Sequence, residues 1–250
     1  VVGYKTVTGS KNIVINQANG EVTLSATTGT INYPDTTTFT VTKNKSGGTL
    51  KVSSSNTAVA TASISGTTVT VTSGTTAGSA TITVNSAATT NYKAASATYT
   101  VTVGQVDVPS VSASGYSGTY DGKAHGISVS CSGATIKYGT TEGTYDKTSS
   151  PTRTNAGTTT VYYQVSKAGY KTVTGSKTIT VNKANGAVTL SEKTGSINYP
   201  ATTTFTVTGN TGGGALTVST SDSNIATASI SDTTVTVTSG TTAGSATITV

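Results

Sequence analysis

The nine residues GYKTVTGSK stand at positions 3–11 and return unchanged at 169–177. Laid on itself, the chain matches from 3–84 to 169–250 at a constant offset of about 166 residues, with about 62 of about 82 positions identical and no gap. Whatever the first stretch folds into, the second is expected to fold into as well. A period this long belongs to whole domains in tandem rather than to a solenoid. Mismatches gather in stretches such as 42–59 against 208–225, whereas TTVTVTSGTTAGSATITV is the same at 67–84 and 233–250. Loops drift while strands hold.

Within the repeat, apolar residues fall two apart. Phe39 and Val41, Leu50 and Val52, Ala62 and Ile64, Val69 and Val71, and Ala80, Ile82 and Val84 share one face, with Thr and Ser between them. That alternation is the pattern of half-buried strands, and β-branched Thr and Val suit a pleated surface. No stretch repeats its apolar residues at helical spacing, so no helix longer than one turn is expected. Turn residues separate the strands: NYPD from Asn32, KSGG from Lys45, SG at Ser65, SGTTAG from Ser73. With ATYTVTV at 97–103 this makes about seven strands in about 85 residues, the count of an immunoglobulin-like sandwich. The expected core is Phe39, Leu50, Val52, Ile64, Val69, Val71, Ile82 and Val84, with Phe205, Leu216, Val218, Ile230, Val235, Val237, Ile248 and Val250 as their copies.

Two module types alternate. Type B covers 18–104 and returns at 184–250. Type A covers 105–183, with strands predicted at 126–131, 134–138, 158–165 and 176–181 and with Pro109 ending any pairing at its start. The opening phrase belongs to the close of an A module, so residues 1–17 are expected to be the tail of a preceding one. Linkers of a few residues without a Gly/Ser spacer imply stiff stacking. The fold class is therefore all-β: tandem immunoglobulin-like β-sandwich modules arranged as an extended rod. The sequence starts and stops inside repeated phrases and reads as part of a longer protein. Residues 184–250 lack a counterpart of ATYTVTV, so one sheet is expected to show an unpaired edge, open to strand contact from a neighbouring chain.

Composition narrows the partners. The formal charge is +6, but its lysines are scattered, and Arg153 is the single arginine. Nucleic-acid binding needs basic residues clustered on one face, so no nucleic-acid partner is expected. No apolar run reaches the roughly 18 residues of a membrane span, so no membrane insertion is expected within this stretch. Cys131, the only cysteine, cannot form an internal disulfide. It lies in phase with Ile127 and Val129 and reads as a small buried hydrophobe.

Chemistry-bearing residues are sparse. His125 is the sole histidine, which rules out a two-histidine metal site within one chain, and its turn-forming neighbours make it a solvated loop residue. Asp107, Asp121, Glu142 and Asp146 show none of the close spacing of a calcium loop. Neither catalytic residues, a metal site nor a cofactor is expected, and the chain is not read as an enzyme. Module A carries seven of the 12 tyrosines. Tyrosine offers rigid area for a protein or sugar, which makes Tyr120, Tyr138, Tyr145 and Tyr162 the candidate ligand-binding residues. Adjacent Tyr162 and Tyr163 must point to opposite faces, and most of the module-A tyrosines are better accounted for as core or strand-corner residues with the hydroxyl at the rim.

SNTAVATASISGTTVTVTSGTTAGSATITV at 55–84, with its copy, resembles bacterial immunoglobulin-like group 2 repeats. YDGKAHGISVS, ATIKYGTTEGTYD and NAGTTTVYYQVSKAGY are similar to the tyrosine-aspartate-glycine surface repeats of Gram-positive bacteria. The resemblance implies a cell-wall-anchored or secreted adhesin-like protein whose repeats form a structural stalk, giving reach to a binding tip elsewhere. Two alternatives stand beside it: A modules that themselves bind a host protein or glycan, and the fibre or capsid decoration of a phage.

Overall fold

The computed structural model describes residues 2–250. Among them no residue is helical, and every regular element is a strand. Residues 2–16 form no strand and are exposed throughout; Val1, the first residue of the expected A-type tail, lies outside the described residues.

The first B-type module is a closed sandwich. Its strands are β1 (Val22–Leu24), β2 (Thr28–Asn32), β3 (Thr36–Asn44), β4 (Leu50–Ser54), β5 (Ala60–Ser65), β6 (Thr68–Ser73), β7 (Gly78–Ser86) and β8 (Ala95–Gly104). One sheet runs β1-β3-β6-β5 and the other β2-β8-β7-β4. In strand letters this is A-B-E-D facing G-F-C with a split first strand alongside G, the immunoglobulin order. The alternation read from the sequence holds in register: Val69 and Val71 are fully buried while Thr68 is exposed. Phe39, Ile82 and Val84 are buried with them, and Leu50, Val52 and Ile64 pack against this core half-buried. The alternation read from the sequence marks neither β1 nor β2. β2 pairs parallel with β8, its Gly29 and Ile31 opposite Val101 and Val103, and β8 also pairs along its length with β7. β8 is thus an inner strand.

Module A follows the same plan with shorter pieces: β9 (Ser112–Ser114), β10 (Tyr116–Thr119), β11 (His125–Gly126), β12 (Ser128–Ser130), β13 (Thr135–Gly139), β14 (Thr152–Arg153), β15 (Gly157–Ser166) and β16 (Val173–Asn182). One sheet has the order β10-β16-β15-β13, and β12-β9 and β11-β14 are separate two-stranded pairs. The predicted strand at 126–131 is broken at buried Ile127, whose N–H turns to Ser150 Oγ at 3.0 Å.

The second B-type stretch contains β17 (Val188–Leu190), β18 (Thr202–Asn210), β19 (Ser219–Thr220), β20 (Ala226–Ser231), β21 (Thr234–Ser239) and β22 (Ile248–Thr249). The sheet β17-β18-β21-β20 reproduces β1-β3-β6-β5, but only β19-β22 remains of the other. The unpaired edge expected here is larger than anticipated. The strand without a counterpart is an inner one, so β22 has no partner on its outer side and residues 194–198, the copy of β2, form no strand.

The chain divides into two compact units. One holds the chain up to Gly115 with Ile127–Pro151 and Thr160–Lys177; the other holds Tyr116–Gly126, Thr152–Thr159 and Thr178–Val250.

Candidate functional site: corner tyrosines and a junction turn

Chain geometry places one tyrosine at the same corner in the first B-type module and in module A. Tyr33 follows β2, and its N–H donates to the carbonyl of Gly104, the last residue of β8, at 3.0 Å. Tyr120 follows β10, and its N–H donates to the carbonyl of Asn182, the last residue of β16, at 2.8 Å. The two corners are therefore equivalent, and Tyr199 is the second B-type copy of Tyr33. After Tyr33 the chain turns through Pro34 and Asp35, whose carbonyl accepts the Ser73 hydroxyl at 2.8 Å.

After Tyr120 the corner is polar. Asp121 Oδ1 accepts the Lys123 N–H at 2.9 Å and lies 2.8 Å from His125 Nε2. The hydrogen bond from His125, then that from Lys123, holds the Asp121 carboxyl below its ordinary value. The imidazole stacks on Tyr116, with ring centres 3.8 Å apart and planes 9° from parallel. His125 is therefore not the solvated loop residue expected from its neighbours: it belongs to β11, paired with Arg153, and its ring is mostly covered. Arg153 in turn staples its own loop, donating to the Ala156 carbonyl at 2.8 Å and to Thr159 Oγ1 at 3.0 Å.

The four candidate tyrosines lie in different settings. Tyr138 on β13 is buried opposite Tyr163 of β15, while Tyr162 lies opposite Gly139 and is half-buried on the other face. Tyr145 sits half-buried in the loop between β13 and β14. Tyr120 belongs to the other compact unit and is 45% exposed. Of the seven module-A tyrosines it alone is exposed.

A feature missed in the sequence is the turn at Gly169–Tyr170–Lys171, between β15 and β16. The Tyr170 ring meets the Tyr33 ring edge-on at 5.1 Å and 85°. Gly169 is buried at φ +86°, and a Cβ there would strike the Tyr33 ring. The linker beside this contact is held on both sides. Gln105 Nε2 donates to the Thr75 carbonyl at 3.2 Å, the Lys171 N–H donates to Val106 O at 2.8 Å, and the Val108 N–H donates to Lys171 O at 3.2 Å. The clue was in the sequence: a Tyr-Lys pair recurs at Tyr4, Tyr92 and Tyr170, and a Tyr opens each of the corners NYPD, TYDG and NYPA.

Little else assembles. Asp121 orients the imidazole as a base would be oriented, yet among the described residues no serine, threonine or cysteine hydrogen-bonds that ring to complete a nucleophile. The described residues contain no group of three or more His, Cys, Asp or Glu able to hold a metal, and none of their lysines is buried. Cys131 is half-buried, its Sγ 3.4 Å from the Pro109 carbonyl. A shallow hollow of about 330 Å³ beside Asn85 and Ser96 is lined by small side chains and Lys51, with no aromatic or carboxylate. No helix of the described residues is long and apolar enough to cross a membrane.

No family model matches the chain, and no curated protein matches it. Solved structures similar to it include protocadherin gamma B7 extracellular cadherin domains 1–4, at TM-score 0.34 and 11% identity over 88% of this chain and 68% of that one. The titin I-band fragment I67–I69 is similar at TM-score 0.26 and 9% identity, over 89% and 88%. The fibronectin(III)-like modules of Clostridium thermocellum CbhA are similar at TM-score 0.26 and 12% identity, over 65% and 95%. Likeness at this level carries no argument, and the class rests on strand order. The chain is all-β, and its complete B-type module is an immunoglobulin-like β-sandwich, repeated in part by 184–250.

Proposed function

We propose that this chain is a stretch of structural stalk repeats from a bacterial cell-surface, adhesin-like protein. The reading is supported above all by the linker between the first B-type module and module A, whose backbone and Gln105 side chain are hydrogen-bonded to the structure on either side. A joint so held transmits position, which is what a stalk requires and a flexible tether lacks. The chain catalyses nothing in this reading. Its protein works outside the cell, secreted or held on a Gram-positive wall, and the host protein or glycan is met by a tip beyond these repeats. The alternative, in which A-type modules hold that ligand, draws less support because a binding patch needs several exposed aromatics and module A exposes Tyr120 alone. Small-angle scattering of the full chain tests the proposal. A maximum dimension on the order of 100 Å is expected for stacked sandwiches with strands rising about 3.3 Å per residue. A value near the roughly 60 Å of a globule of this mass would overturn it.

A further inference from the structure

We infer that the corner tyrosine of each module is a docking surface, and that its partner is the Tyr-Lys turn of the module that follows in the chain. Position makes the first argument. The corner stands at the exit of its module, bonded to the last residue of the final strand: Tyr33 to Gly104, Tyr120 to Asn182. The turn stands at the entrance of its module, bonded to the incoming linker. Lys171 exchanges bonds with Val106 and Val108, and in the first B-type module the Ala18 N–H donates to Asn91 O at 2.9 Å while the Lys93 N–H donates to Ala18 O at 2.9 Å. Both module types therefore carry a surface at the exit and a matching turn at the entrance.

Shape makes the second. Gly169 must be glycine twice over, because its φ of +86° disfavours any side chain and because Tyr33 fills the space a Cβ would take. Close backbone approach lets the two rings meet edge-on, an arrangement worth about 0.5–1.5 kcal/mol beyond the area it buries. Copies within the chain supply the control. Tyr120, at an equivalent corner closed by its bond to Asn182 and with no turn seated on it, is 45% exposed, and Tyr4, in the same Gly-Tyr-Lys phrase with no corner beneath it, is 85% exposed. Tyr33, with its turn seated, is half-buried. Cover comes from the partner and not from the corner itself. Tyr120 is then a junction residue of the same kind, which accounts for its exposure without a separate ligand.

The inference deepens the stalk reading but is tested apart from it, by residue-resolved amide exchange on the full chain. Tyr33→Ala should speed exchange of the Lys171 and Val108 amides roughly tenfold, the upper end of one aromatic pair. Gly169→Ala should do the same, and should add less in the Tyr33→Ala background because the ring it would strike is gone. Tyr199→Ala should leave both amides unchanged. Unaltered exchange in Tyr33→Ala, or full additivity with Gly169→Ala, would overturn the docking surface. A compact scattering profile would sink the stalk reading while leaving these amide results as they are.

Discussion

Residues 28–84 and 194–250 are nearly the same sequence in two different states. Val69 and Val235 are both fully buried, each in the inner strand of a four-stranded sheet whose members are all present. The opposite sheet diverges. Ile82 and Val84 are fully buried, but Ile248 and Val250 are half-buried; Phe39 is buried against Tyr99 at 4.3 Å, but Phe205 is half-buried. TGTIN at 28–32 is a strand and TGSIN at 194–198 is not. The difference lies in β8, which satisfies β2 on one side and β7 on the other. A strand is a relation between segments: its backbone groups need partners, and a segment that differs only by Ser196 for Thr30 stays irregular without that partner.

The most forceful way to break this comparison is to supply the partner. A chain extended past Val250 by a copy of Asn85–Gly104 should form a strand at 194–198 and bury Phe205, Ile248 and Val250. Three large apolar side chains, each already half-buried, gain about half of the roughly 1.5–3 kcal/mol of full burial, on the order of 3 kcal/mol for that module. Calorimetry of the two chains decides the matter, and equal melting temperatures would show that β8 is not what separates the copies.

A glycine sharpens it at lower cost. A Cβ on Gly29 would strike the hydroxyl of Tyr99, whereas a Cβ on Gly195 meets nothing within 4 Å. Gly29→Ala should therefore destabilise by about 1–3 kcal/mol, the range of overpacking. Gly195→Ala should stay within roughly 0.5 kcal/mol, helped by the reduced freedom of the unfolded chain. Urea melts of both variants would show whether the asymmetry exists. If Gly195→Ala costs as much as Gly29→Ala, then Tyr99 is not the cause.

Much of this was open to sequence reasoning, and its failures share a cause. Strands β3 to β8 and the burial of Val69, Val71, Ile82 and Val84 follow from alternation, because period two directly encodes which face is wet. β1, β9 and β10 are three or four residues long and β2 is rich in Thr and Gly, too little for a periodicity to register. β2 is defined by β8, a segment far along the chain. His125 was misjudged because its sequence neighbours are turn residues while the ring that covers it, Tyr116, belongs to another strand. The parity of Tyr162 and Tyr163 was readable, but the role of the corner was not. Tyr199 is a copy of Tyr33 by sequence, but that Tyr120 shares their position becomes visible only when the bonds from Tyr33 to Gly104 and from Tyr120 to Asn182 are set side by side.

The smallest expected effect separates the copies by charge. In the first, Lys43 Nζ lies 2.7 Å from Glu21 Oε2; the second has Gly209 and Ala187 at those positions. The hydrogen bond from Lys43, followed by its charge, holds the Glu21 carboxyl below its ordinary value. A carboxyl whose value is lower in the folded state contributes stability above its unfolded value, about 4.3, and loses it as pH falls through the folded one. The first copy should therefore weaken below about pH 4.3 by a small amount that the second does not share. Both side chains are about half exposed, so the increment should also fade in high salt. Amide exchange at Val69 and Val235 can read it, because both valines sit between threonines and their intrinsic exchange rates cancel in the ratio at every pH. That ratio should shift toward faster exchange at Val69 on acidification, and the shift should vanish in Glu21→Ala, where the first copy takes the second copy's residue. A ratio that moves equally in wild type and Glu21→Ala would assign the acid sensitivity elsewhere in the module and leave the missing partner strand, not this ion pair, as what separates the stability of the two copies.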